Sequence, residues 1–308
     1  MKNIIDFIYI EFLRNTLRNV KYFIFGVIAV AWLLGYFIAW IFSHSDNFID
    51  NDHYVDYLFF VAISAAFLGI LKGIYDIYGD KDLMRKFSRS GLGLYKFFIA
   101  KLIVASLIGI FQCYLLTMSA KGMLKIPENI LMNVNWLICV VIFICSYSMA
   151  LIASCLVHND KMASVSLAIL LVPQIMLSGL VPFEKLHKAI FLWESNYERM
   201  PPPSTILPIP IGFESLITAN YSVLIDENGN YQNMNNVLKA TIATDEEKVG
   251  FFRSNKGKFG MSMWIYDLLI IAILSVIYFI VAYQIFMLLN KPKFKKSNSK
   301  IYKLKGKR

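Results

Sequence analysis

Charge is scarce in this chain. Only 17% of its 308 residues are Asp, Glu, Lys or Arg, whereas 57% are hydrophobic and the mean hydropathy is +0.54. Soluble domains run nearer a quarter charged and below half apolar. A soluble core of this size has no room for so much apolar surface, which argues against an ordinary cytosolic enzyme and against a disordered tail. The four cysteines, Cys113, Cys139, Cys145 and Cys155, all fall inside apolar runs with no CxxC pair. Neither a disulfide framework nor a zinc site is indicated. A phosphate-cradling GxxxxGK loop ending in Ser or Thr is missing, so the chain does not hydrolyse nucleotide by that route. HExxH and a nucleophile elbow are missing too. Cations outnumber acids 31 to 21, but they are clustered, and a nucleic-acid partner is not expected.

What is abundant is long apolar runs. A bilayer core about 30 Å thick needs roughly 20 apolar residues of helix. Six stretches qualify, near Tyr22–Phe42, Val55–Tyr75, Phe97–Met118, Val134–Val157, Ala163–Val181 and Met263–Leu289. The expected fold class is therefore an all-α integral membrane protein with six spans. Pro173 inside span five removes a backbone donor and is expected to kink that helix.

Orientation follows from Lys and Arg in short loops. The N-terminal segment, the connection between spans two and three with its flanks (Lys72 and Lys101 included), Lys161 and the tail together hold 21 of the 31 cations. The opposite side has Asp46, Asp50, Asp52 and Asp56 in its first loop and no Lys or Arg there. Both termini are expected in the cytoplasm. The nine cations of the tail serve this topology, or they also hold anionic lipid.

The chain divides accordingly. Residues 1–21 interleave apolar and charged positions at helical spacing and read as an interfacial helix, or as a longer first span with a charged flank. Residues 22–181 hold spans one to five, with a cytoplasmic connection at 76–96. Residues 182–262 lie outside, span six covers 263–289, and 290–308 form the basic tail. Within the external segment, Ile206–Leu224 is apolar enough to enter the membrane, yet its prolines favour a re-entrant or interfacial element over a crossing. His44, Asp46, Asp50, Asp52, His53 and Asp56 could together hold a divalent cation, but such loops are usually solvated, and no metal site is assigned.

The span interiors look almost free of ionisable groups, apart from Lys72 and Asp267 near predicted ends. An intramembrane enzyme or ion-coupled carrier needs such groups at membrane depth. No catalytic residue is therefore assigned, and the energy for any transport must come from a partner. The connection from Asp76 to Lys101 is where a partner could push. Asp80–Phe87 reads as a short charged helix, and Gly91 and Gly93 allow a turn after it. In span two, Ala65, Gly69 and Gly73 recur every four residues, a ridge for close helix packing within a protomer or between two.

Here the residues carry a resemblance. The run "LFFVAISAAFLGILKGIYDIYGDKDLMRKFSRSGLGLYKFFIAKLI" resembles membrane domains of type-2 ATP-binding-cassette (ABC) exporters, nearest the pigment, sterol and multidrug half-transporters and their bacterial relatives. In these, span two leads into a charged coupling helix and an element like Ala100-Lys101-Leu102 enters span three. Two further stretches, "SCLVHNDKMASVSLAILLVPQIMLSGLVPF" and "ILPIPIGFESLITANY", are similar to the family in the same order. The resemblance implies a permease subunit of an exporter in the bacterial cytoplasmic membrane, moving a lipid-like or amphipathic cargo. ATP and Mg would sit on a separate ABC ATPase partner, with no cofactor on this chain. It also implies a second copy or a related permease, and contact with membrane lipids. Matching residue by residue puts Ser64, Phe67, Val172, Ile175, Met176, Leu180 and Val181 on the cargo pathway, and Asp82, Arg85 and Lys86 at the ATPase. Relatives carry an acid at the position of Lys86. A scaffold subunit whose external loop binds a partner is the alternative reading.

Overall fold

The computed structural model describes residues 4–16, 20–43, 53–80, 83, 94–124, 131–180, 202–223 and 263–289. Every regular element among them is helical. Helix α1 (Ile4–Thr16) precedes a short turn, Val20–Tyr22, and a π-helical stretch, Phe23–Ala29, that opens into α2 (Val30–Phe42). There follow α3 (Tyr54–Tyr78), α4 (Leu94–Leu124), α5 (Leu131–Leu156), α6 (Asp160–Ile175), α7 (Pro208–Val223) and α8 (Met263–Leu289). Six helices are long and apolar enough to cross a membrane, matching the six expected stretches. They are α2 with its π stretch, α3, α4, α5, α6 with its own π continuation, and α8.

Helices α3 and α5 form the centre, with α2, α6 and α8 at the periphery. Small residues decide this. The ridge Ala65–Gly69–Gly73 of α3 lies against α5 in the same protomer: a Cβ on Gly69 would strike the Phe143 carbonyl, and one on Gly73 would sit 2.6 Å from the Tyr147 carbonyl. In lipid, where apolar surface gains little from leaving its solvent, such close backbone approach is what holds helices together. Hydroxyls add to it. Ser154 of α5 donates to the Ile74 carbonyl at 2.5 Å and accepts from the Tyr78 amide at 2.9 Å, pinning the last turn of α3. Ser148 pairs with Ser275 of α8 at 3.2 Å.

Two sequence signals resolve locally. Asn159, in the short turn before α6, has extended backbone and accepts from the Met162 amide at 2.8 Å, an N-cap that starts span five. Pro173 leaves the preceding turn one donor short, and within one turn the α-helix gives way to a π stretch, Met176–Leu180.

The prolines of the external segment act differently from the expected helix-breaking role. Pro208 and Pro210 fall in the first turn of α7, where amides have no intrahelical acceptor, so neither costs a hydrogen bond. Helix α7 runs between α3, α5 and α8, and most of it is buried. Gly212 faces Ile142 near the middle of α5, while Ser215 donates to the Trp264 carbonyl at the start of α8. The helix therefore runs from the middle of the bundle, at Gly212, toward the end of the bundle that holds Tyr54, at Asn220.

Candidate functional site

The ends of α1, α3 and α4 meet in a cluster of six charges. On α1, Glu11 and Arg14 are one turn apart. On α3 and the residues just after it, Lys72, Asp76 and Asp80 recur every four positions, so all three share one face. Lys101 comes from the second turn of α4. These positions bring three acids and three bases together.

The contacts are short and mutual. The Arg14 guanidinium grips Asp80 with both ends, at 2.5 and 2.6 Å, and also reaches Glu11 at 2.6 Å. Lys101 Nζ donates to Glu11 Oε1 at 3.1 Å and forms ion pairs with Asp80 Oδ2 at 2.6 Å and Asp76 at 3.9 Å. Lys72 Nζ donates to Asp76 at 2.9 Å and to the Asn15 side chain at 2.7 Å. The Tyr147 hydroxyl, from α5, donates to the other Asp76 oxygen at 2.8 Å.

Lys101 is 1% exposed and Glu11 3% exposed. An isolated charge so placed would be far too costly. The site persists because every acid meets a base and each carboxylate also takes hydrogen bonds. Arg14 lies outside the spans. Its burial alone would disfavour the cation, but the Asp80 hydrogen bond and the fields of Glu11, Asp80 and Asp76 outweigh that and raise its pKa.

The expectation that span interiors are nearly free of ionisable groups is thus corrected. Asp76 and Lys101 are buried in span helices, in addition to Asp267, which was expected near a span end; Glu214 is buried in α7, outside the six spans. Lys72 and Lys101, counted as loop cations, are members of the cluster. The signal was in the spacing of Lys72, Asp76 and Asp80. Its meaning stayed hidden because Glu11, the partner of Lys101, lies 90 residues away in the chain.

The residues expected on the cargo pathway divide. Ser64 is buried and Phe67 half-buried in α3, while Val172 and Met176 are exposed and Ile175 half-buried. Leu180 ends the π stretch of span five, and Val181 lies outside the described residues. Asp82, Arg85 and Lys86, expected to meet the ATPase, also lie outside them, as do the tail and most of the external segment. Of the acidic first loop, His53 and Asp56 are described; both are exposed, 3.4 Å apart.

A second polar knot ties α7 to the opposite end of the bundle. Tyr54 donates to Asn220 at 2.9 Å, and Asn220 donates to Asn135 at 2.8 Å, joining α3, α5 and α7 in buried surroundings. Asn220→Ala removes the acceptor of the Tyr54 hydroxyl and the donor to Asn135, a loss of about 1–3 kcal/mol. Thermal unfolding of the purified protein is expected to show a clear drop for it and a smaller one for Tyr54→Phe.

The described residues thus form a bundle with six helices able to span a membrane and a charge-balanced cluster at one end. The chain belongs to the ABC-2 type transporter family, whose model matches residues 8–197. That match begins within α1 and runs through all of spans one to five. No curated protein matches the chain.

Proposed function

We propose that this chain is the membrane-spanning subunit of an ABC exporter, driven by ATP hydrolysis on a separate ATPase chain. Its two termini and the 76–96 connection face the cytoplasm, and two copies, or this chain and a related permease, surround the pathway. An apolar pathway favours a lipid-like or amphipathic cargo. The family membership makes the chain a transporter subunit; the charge cluster supports how it is driven. Asp80 stands at the root of the connection to span three and is held by α1 on one side and α4 on the other. A displacement of that connection is thereby passed to two helices at once.

Force from an ATPase must enter through a rigid element, and the span four-to-five turn is only a few residues long. Asp82, Arg85 and Lys86 are assigned to the ATPase contact, with Lys86 seeking an acid on the partner. Exposed pairs of this kind contribute about 0–1 kcal/mol each, so single substitutions should weaken coupling only modestly. The double reversal Arg85→Glu with Lys86→Glu is expected to leave the permease folded while ATP hydrolysis no longer drives transport. Unaltered complex formation and transport in that variant would remove the connection from the coupling role.

A further inference from the structure

Helix α1 wears its polarity inside out. Phe7, Glu11 and Arg14 recur at four- and three-residue steps and face the bundle: Phe7 packs edge-on to Phe97 of α4, and the two charges enter the ion cluster. The opposite stripe, at the same steps, is Ile5, Tyr9 and Phe12; Ile10 widens it on one side, past the exposed Asp6 that marks its edge toward the headgroups. Ile5 is 69% and Tyr9 63% exposed. A helix on an aqueous surface does the reverse, burying its apolar face and showing its charges to water. The exposed apolar surface continues through Val20, Ile24 and Phe25 at the entry to span one, which is membrane-facing by its length and composition.

We infer that α1 is a leaflet-held latch: acyl chains of the adjacent leaflet occupy the Ile5–Tyr9–Phe12 stripe, and that occupancy keeps the ion cluster on the opposite face closed. The two faces belong to one rigid helix of 13 residues. Turning the apolar stripe away from lipid means turning Glu11 and Arg14 away from Lys101 and Asp80, which would then be buried without them. Lipid packing at this interface therefore acts on Asp80, and through it on the connection to span three. The consequence for ATP-driven transport rests on the proposed function; the lipid contact and its link to the cluster do not.

Two measurements test this without any ATPase. The four native cysteines are all buried, so a nitroxide on Tyr9→Cys can be placed selectively in the full chain, reconstituted in vesicles of phosphatidylcholine and phosphatidylglycerol. Oxygen, which concentrates in the bilayer, is expected to relax this label several-fold more than an aqueous nickel chelate. Relaxation dominated by the chelate, or shielding from both reagents by a protein surface, overturns the lipid assignment. In the second measurement a label on Leu83→Cys, just beyond Asp80, reports the connection. Its mobility is expected to rise in Tyr9→Asp and in Arg14→Gln, and to stay at the parental level in Tyr9→Phe. A Leu83 spectrum unmoved by Tyr9→Asp, in protein that Arg14→Gln does loosen, overturns the link between leaflet and cluster.

Discussion

Replacing Lys101 with methionine is expected to cost about 3–5 kcal/mol, the range for removing one partner of a buried ion pair. Methionine matches the length and the apolar stem, so packing beside Phe97, whose ring lies 5.0 Å from Nζ, is nearly kept. What is lost is the charge. Glu11, Asp76 and Asp80 would then face only Arg14 and Lys72, leaving an unbalanced acid in a cluster where Glu11 and Asp76 are themselves buried. Membrane accumulation of folded protein should fall steeply, and the unfolding temperature of what remains should drop by many degrees. Combining Lys101→Met with Glu11→Gln restores the balance of charges and should recover part of the loss. Lys161→Met, at an exposed position in the first turn of α6, should change neither quantity. If Lys101→Met behaves like Lys161→Met, the cluster does not hold this end of the bundle.

Gly69→Leu should be at least as damaging, for a steric reason. Around Gly69 the backbones of α3 and α5 touch: an added Cβ meets the Phe143 carbonyl and lies 3.1 Å from the Tyr147 amide nitrogen. Backbone cannot step aside as a flexible side chain can, so the helices must part. Overpacking by single methylenes costs typically about 1–3 kcal/mol; leucine adds a whole branched side chain at the centre of the fold. Parting α3 from α5 also breaks the Tyr147–Asp76 contact, carrying the damage into the cluster. Gly122→Ala is the matched control. Nothing lies within 4 Å of its Cβ position, and alanine there should raise stability by about 0.5–1 kcal/mol through helix propensity. Side-by-side thermal unfolding of the two variants separates crowding from any general intolerance of glycine replacement.

Much of this architecture is legible in the residues, because a membrane span needs a long apolar run and few other structures do. The ends are less so: span three was expected as Phe97–Met118 but extends over Leu94–Leu124, since Lys96 and Lys121 continue the helix although they lower its hydropathy. Charge counting addresses topology and says nothing of pairing. It treats each Lys as solvated, whereas Lys101 is solvated by Glu11 and Asp80 instead of water. Helix α7 was half visible. Its apolar content pointed into the membrane, but whether Pro208 and Pro210 break a helix or begin one depends on where the first turn falls. The Ala65–Gly69–Gly73 ridge was plain as a packing surface, while its partner, α5 of the same protomer, emerged only from the fold.

The central claim is that this permease converts ATP hydrolysis on another chain into movement across the membrane. The most direct measurement is a pull-down of the full chain for a bound ABC ATPase, followed by that ATPase's hydrolysis in proteoliposomes with and without the permease. The account predicts hydrolysis that depends on the permease and that loses its link to transport when Arg85 and Lys86 are both reversed. Failure of any ABC ATPase to bind, or hydrolysis at the same rate whether or not the permease is present, would contradict it.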